Sequence, residues 1–252
     1  MALRYFGFLL IFSLLVLVWH LVVTLFDVPE YVFPKPVSVA KAIEEMIQSG
    51  QLYRNSVASL FRVTCGFYMA VVTAVPLGLV LGRKSHLRIF LNPLIQFLRP
   101  ISPLAWIPIA LMWFGIGDRP AIFLIFLSSF FPLVVFTTSS VLSIRTTYLR
   151  VAKNFGLNGL DLYRKVILPA ALPDIITGIR ITLGTAWLVI VAAEMIAVKS
   201  GLGYLIIDAR NSLRMDKVVA GMVAIGLIGL VLDHIIRFLE RMPSVEWSRL
   251  RR

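Results

Sequence analysis

Charge is scarce in this 252-residue chain. Only 15% of it is Asp, Glu, Lys or Arg and 59% is apolar, whereas a soluble domain carries about a quarter charged residues. That balance excludes the soluble globular and disordered classes, and a mean hydropathy of +0.88 agrees. Cysteine is nearly absent. Cys65 stands alone in an apolar run, so a disulfide-stapled fold is excluded and the residue reads as a small packing group. The three histidines, His20, His86 and His234, lie far apart and match no metal spacing, so no metal site is expected.

Apolar sequence is abundant instead. With about 20 residues to a transmembrane helix, a chain of this length holds roughly six to eight. One membrane domain over 1–252 is expected, with no room for a separate soluble catalytic domain. The first apolar run, 5–26, is too long for a signal-peptide core and no small-x-small site follows it, so it reads as a retained span. Phe33-Pro34-Lys35-Pro36 makes an extended elbow. Ser38 then reads as the cap of a short amphipathic helix through Gln48. Further spans are expected at 56–82, 87–116, 120–141, 172–197 and 218–237, six in all. Pro76 and Gly78 would kink the second. Asn92-Pro93, Arg99-Pro100, Ser102-Pro103 and Pro108 break the third. Such breaks survive in a membrane only where protein or water satisfies the freed backbone groups. Residues 200–217 read as a polar, amphipathic loop.

The net charge of +12 would suggest nucleic acid in a soluble protein. In a membrane protein the basic residues flank spans on the cytoplasmic side, so lipid is expected as a neighbour and nucleic acid is not. Arg4, Arg83, Lys84, Arg88, Arg145, Arg150, Lys153, Arg164, Lys165, Arg237, Arg241, Arg249, Arg251 and Arg252 fall on one side, fourteen in number. Lys35, Lys41, Arg54, Arg119, Lys199, Arg210, Arg214 and Lys217 fall on the other. Both termini are therefore expected in the cytoplasm.

The cytoplasmic segment 143–169 is the most informative. Tyr148, Val151, Ala152 and Phe155 recur at the helical period and share one face. Gly156 ends that helix as a left-handed cap would. Asn158-Gly159 makes a turn, with Asn158 placed to cap a second helix and Asp161 at its third position. Leu160, Tyr163, Val166 and Ile167 continue an apolar stripe, and Leu168-Pro169 re-enters the membrane. Two short amphipathic helices joined by a glycine elbow make a rigid protrusion. Its apolar face would cover a membrane helix end or fill a groove on a partner.

The stretch from Arg150-Val151-Ala152 through Gly156 to Ile167-Leu168-Pro169 resembles the cytoplasmic signature of ABC importer permeases. That signature reads E-A-A, three residues, G, nine residues, I-x-L-P. Pro103-Leu104-Ala105-Trp106-Ile107-Pro108, Trp113-Phe114-Gly115-Ile116-Gly117, Ala192-Ala193-Glu194-Met195-Ile196, Gly201-Leu202-Gly203-Tyr204 and the run from Gly226 to Asp233 extend the resemblance over roughly 30–245. They look like the permeases of the nitrate, bicarbonate, aliphatic-sulfonate and taurine importers. The resemblance implies an all-α, six-span permease of type I importer-like fold in the bacterial cytoplasmic (inner) membrane. It further implies a homodimer, two ABC ATPase subunits, and a periplasmic or lipid-anchored substrate-binding protein. This chain has no G-x-x-x-x-G-K-[ST] phosphate loop. No cofactor is expected in it, and ATP and Mg belong to the partner ATPase. The ATPase-coupling residues would be Arg150, Val151, Ala152, Phe155, Gly156, Asp161, Leu168 and Pro169. Arg150 departs from the family's usual Glu. It reverses a charge on the ATPase-facing surface and implies a complementary acidic groove there.

Arg180, Trp187 and Glu194 are spaced by seven in the fifth expected span, with Gly184 and Val191 between them. Ionisable groups inside a membrane usually face a bundle interior or a water-filled path. The stripe either lines the translocation pathway or, in the alternative, Arg180 reaches the cytoplasmic edge and Glu194 pairs with another helix. Arg99 and Trp106 are also seven apart. A guanidinium beside an indole suits a small oxyanion, while the alternative makes Arg99 an anchor of a broken helix. Gly221, Gly226 and Gly229 allow close helix approach. The expected function is ATP-driven import of a small oxyanion by alternating access. An ion-coupled secondary transporter would show inverted repeats and mid-membrane carboxylates; no convincing repeat is visible, and Glu194 is the one candidate carboxylate. A membrane-embedded enzyme would need a nucleophile–base or metal cluster, which the scattered His, Cys and acids do not supply.

Overall fold

A computed structural model describes residues 2–240, without the side chains of 2–6, 8, 9, 12 and 238–240. The regular structure of the described residues is all helix, with no strand among them. Arg4, Arg241, Arg249, Arg251 and Arg252, counted above for the cytoplasmic side, carry side chains outside the described set.

The chain opens with α1 (Ala2–Leu25) and α2 (Pro36–Gln48). Pro36, not Ser38, starts α2, because its fixed φ and missing N–H suit the first helical position. Ser38 lies inside the helix and its hydroxyl donates to Glu30 at 3.0 Å. The Trp19 indole N–H donates to the Pro34 carbonyl and tethers α1 to the elbow.

Four long helices build the bundle: α3 (Gln51–Arg83), α6 (Asp118–Leu142), α9 (Leu168–Ala197) and α11 (Met215–Glu240). Each includes a stretch long and apolar enough to cross a membrane. Between α3 and α6 lie α4 (Ser85–Leu98), a 3₁₀ turn (Pro103–Trp106) and α5 (Ile107–Phe114). The two halves are bent by 84° across Arg99–Ser102, so the expected broken third span is a sharp elbow. Counted as one, it makes a fifth crossing among the described residues. The first expected span coincides with α1, whose 24 residues exceed the ~20 a crossing needs.

Gly66, Ala70, Ala74, Gly78 and Gly82 recur every fourth residue on α3, and all are buried. A Cβ on Gly66 would meet Ile125, on Gly78 Thr137, and on Gly82 Val141. This ridge of small residues lets α3 and α6 approach closely, where packing and not the hydrophobic effect drives helix association. Pro76 sits within the helix without ending it.

The 200–217 segment is not a loop. It contains α10 (Leu202–Asn211), whose Leu202, Gly203, Leu205 and Ala209 are buried. Met46 and Ala42 of α2 pack with Leu205 of α10 and Ala220 of α11. Glu45 clasps this corner: Lys217 Nζ donates to it at 2.7 Å and Arg214 at 2.8 Å. Those two bonds hold the Glu45 carboxyl below its ordinary value.

Candidate functional site

The protrusion expected from the 143–169 segment is α7 (Thr146–Asn154) and α8 (Gly159–Leu162), followed by a π turn (Tyr163–Ile167) that runs into α9. Gly156, at φ +73°, closes α7 as expected. Its N–H donates to Lys153 and that of Leu157 to Ala152, the paired bonds of a Schellman cap. Asn158 does precede α8 but makes no side-chain cap; its amide donates to the Gly156 carbonyl instead. Asp161 accepts from Lys165 at 3.1 Å rather than completing a capping box. Leu160 is exposed and Leu162 takes the buried place expected for it. The π turn, whose i→i+5 hydrogen bonds widen the helical turn, shifts the buried side to Leu162 and Ile167.

The face of the protrusion is apolar outward. Phe155 is 81% exposed, with Tyr148 and Val151 beside it, while Ala152 is buried against the base. Leu168 and Pro169 are half-buried at the start of α9, and Arg150 is exposed. A groove of about 600 Å³ runs between α7 and α9, lined by Tyr148, Val151, Phe155, Val166 and Pro169 with Arg145 and Lys165.

The α9 stripe is paired along its length within this one subunit. Arg180 Nε donates to Asp233 of α11 at 2.8 Å, and Arg237 donates to the same carboxylate. The Trp187 indole donates to the Ile225 carbonyl at 3.2 Å and lies over Gly229, where a Cβ would press on the ring. Glu194 is fully buried. Arg99 and Trp106 do not share a stripe, because the elbow falls between them. Arg99 caps the end of α4 and is exposed; Trp106 packs half-buried on the core.

Glu194 centres a polar cluster at the end of the bundle opposite the α7–α8 protrusion. Arg62 of α3 donates to it at 2.6 Å, and Ser59 donates at 2.8 Å. The Gly203 N–H, in the first turn of α10, donates at 3.0 Å. Arg62 also donates to Asp118 at the start of α6 and to the carbonyl and hydroxyl of Ser200. The first amides of α10 find acceptors on α3: Leu202 N–H on Ser59, and Gly201 N–H on Asn55. Gly201 and Gly203 are glycines for space, since a Cβ on the first would enter the Glu194 carboxylate and on the second the Val191 carbonyl. Arg62, 2% exposed, was missed by the reading of spans. Its signal was an arginine within an apolar run, four residues before Gly66 on the small-residue ridge.

Residues 74–244 match the family model described as binding-protein-dependent transport system inner membrane component. A putative ABC transporter permease protein of Methanocaldococcus jannaschii is 40% identical over 94% of this chain and 90% of its own. The taurine transport system permease protein of Escherichia coli is 35% identical over 91% of this chain and 85% of its own. The bicarbonate transport system permease protein of Synechococcus elongatus is 39% identical over 75% of this chain and 69% of its own. Among solved structures, a chain of the MetNI methionine ABC transporter in an inward-facing form aligns with a TM-score of 0.63 and 21% identity. It covers 79% of this chain and 99% of that one.

Proposed function

The chain belongs to the family of binding-protein-dependent transport system inner membrane components, ABC importer permeases of the type I fold, and from that membership we propose that it carries a small oxyanion into the cytoplasm. Taurine and bicarbonate, which relatives are named for, define the class: a compact solute bearing an oxyanion group, a sulfonate or carbonate, whose oxygens accept hydrogen bonds. Two copies pair around the path, and a binding protein delivers the solute from outside. Both termini lie in the cytoplasm. ATP and Mg are bound by the ATPase subunits, and this chain holds neither.

One observation carries the coupling. Phe155 stands 81% exposed beside a Schellman-capped elbow. A large apolar side chain held out on a rigid mount is suited to insert into a partner's pocket, and such anchors dominate interface energies. Arg150, exposed on the same helix, meets an acidic rim of that pocket. Closure of the ATPase pair then pushes the protrusion, and α6 and α9, to which it is joined, carry the movement into the membrane. Of the residues expected along the path, Arg99 and Arg180 keep exposed surface and serve there. Trp187 and Glu194, buried between helices, support its wall.

The test is co-purification in mild detergent with mass spectrometry, followed by uptake into proteoliposomes. An ATPase recovered in equal number with the permease, and lost on Phe155→Ala or Arg150→Glu, is the expected result. Recovery of the chain alone, with uptake that follows an ion gradient and ignores ATP, overturns the reading.

A further inference from the structure

Helix α4 presents three distinct faces. Leu91 and Ile95 pack on the core. Phe90, Leu94 and Phe97 project outward, 79%, 54% and 70% exposed, and suit lipid. Between these faces Arg88, Asn92, Gln96 and Arg99 recur at i, i+4, i+8 and i+11, which places all four on one polar stripe. The first three line a cleft of about 220 Å³ against Thr138 and Ser139 of α6. At ~30 Å³ per water, the cleft has room for a small solute and several waters.

The chemistry of the cleft is one-sided. It has a guanidinium, two amides and two hydroxyls, and no acidic residue lines it. Among the described residues no ion pair is made by Arg88. The Thr138 hydroxyl has only a long bond, 3.4 Å, to the Gly78 carbonyl. Arg88 stands in the first turn of α4, on the flank counted above as cytoplasmic, and the amides and hydroxyls farther along the cleft are costly within a membrane unless they face water or a ligand. A guanidinium flanked by amide and hydroxyl donors is matched to an anion with several oxygens.

We infer that the α4–α6 cleft is the oxyanion site of this subunit on the cytoplasmic half of the path, with Arg88 as its charge and Asn92, Gln96 and Ser139 as its orienting donors. This rests on the oxyanion-import reading above. It adds a solute-contacting role for α4, whose Arg88, Asn92 and Gln96 have no side-chain hydrogen bond among the described residues, whereas Arg180 and Glu194 of α9 are paired with Asp233 and Arg62. The affinity of the cleft is low by construction, since Asn92, Gln96 and Ser139 are exposed and Arg88 is half-buried, and a path must release what it holds.

The experiment uses the whole transporter, permease with ATPase and binding protein, in proteoliposomes. Uptake of taurine, bicarbonate and nitrate is measured together with ATP hydrolysis. Wild-type uptake of none of the three overturns the import reading itself. With wild-type uptake established, Arg88→Gln and the double variant Asn92→Leu/Gln96→Leu are expected to lower uptake per ATP by roughly ten- to a hundredfold, the worth of charge-assisted hydrogen bonds. Assembly is followed in parallel by co-purification of the ATPase. Unchanged uptake per ATP overturns the site. A second readout places single cysteines, Asn92→Cys or Gln96→Cys, in a Cys65→Ser background. A water-soluble thiol reagent labels them, and the transported anion slows the labelling. If labelling is slowed instead by anionic phospholipid and not by the anion, the cleft holds a lipid headgroup and the inference fails.

Discussion

Arg62 and Glu194, 132 residues apart in the chain, meet at 2.6 Å with almost no exposure on either side. The pair is complete: Ser59, Gly203, Ser200 and Asp118 satisfy what the two leave over. Breaking such a pair leaves a buried charge uncompensated and costs about 3–5 kcal/mol. Arg62→Ala and Glu194→Ala are therefore expected to abolish a cooperative melt in detergent or to lower its midpoint sharply. Equal melting of wild type and both variants would show that the cluster bears no weight.

The glycines of the same corner make a paired prediction. Gly203→Ala drives a methyl into the Val191 carbonyl, and Gly201→Ala drives one into the Glu194 carboxylate at φ +103°. Each is expected to cost about 1–3 kcal/mol. Gly184→Ala and Gly226→Ala enter open space and are expected to be neutral or slightly stabilising, as Ala favours helix by about 1 kcal/mol. Thermal unfolding of the four purified variants separates the two classes.

On the cytoplasmic side, Phe155→Ala is expected to leave permease stability unchanged, since the ring is exposed, while weakening ATPase binding by about 2–4 kcal/mol. Gly156→Ala acts differently. Its positive φ strains any residue with a Cβ, and roughly 1 kcal/mol of that falls on the elbow. A pull-down titration against a melting curve tells the two apart.

Glu45 predicts a pH dependence at the corner of α2, α10 and α11. Its carboxyl is held below the ordinary 4.5 by Lys217 and Arg214. Folding therefore gains from its ionised form above 4.5, and the gain is lost as pH falls through the lowered value. The effect is small, because the pair is exposed. A shallow acid-side fall in melting temperature, absent in Glu45→Gln, is the expected signature.

Local chemistry was the legible part of this chain. The Gly156 cap and the proline-broken third span follow from single residues and their immediate neighbours, and both stand in the structure. Ser38 and Leu160 misled for local reasons as well: Pro36 outcompetes a serine cap, and a π turn shifts the apolar period to Leu162. The α9 stripe was visible as a repeat of seven, but which helices would face it was not. That depended on Asp233 and Arg62, groups 53 and 132 residues away. The small-residue ridge from Gly66 to Gly82 was present in the sequence and carries no polarity to draw notice. The polar stripe of α4 was masked by the prolines that punctuate its neighbourhood.

Helix α3 is fastened to α6 by two means along its length, a charged knot at Arg62 and, from Gly66 to Gly82, α6 side chains seated against its bare backbone. Neither fastening stretches: the first is ionic and closed in, the second is steric. Helix α9 is pinned to the same block by Glu194. Under the coupling proposed above, a push at the Phe155 tip would move α3, α6 and α9 as one block, and the 84° elbow at Arg99–Ser102 is the place left for the subunit to bend.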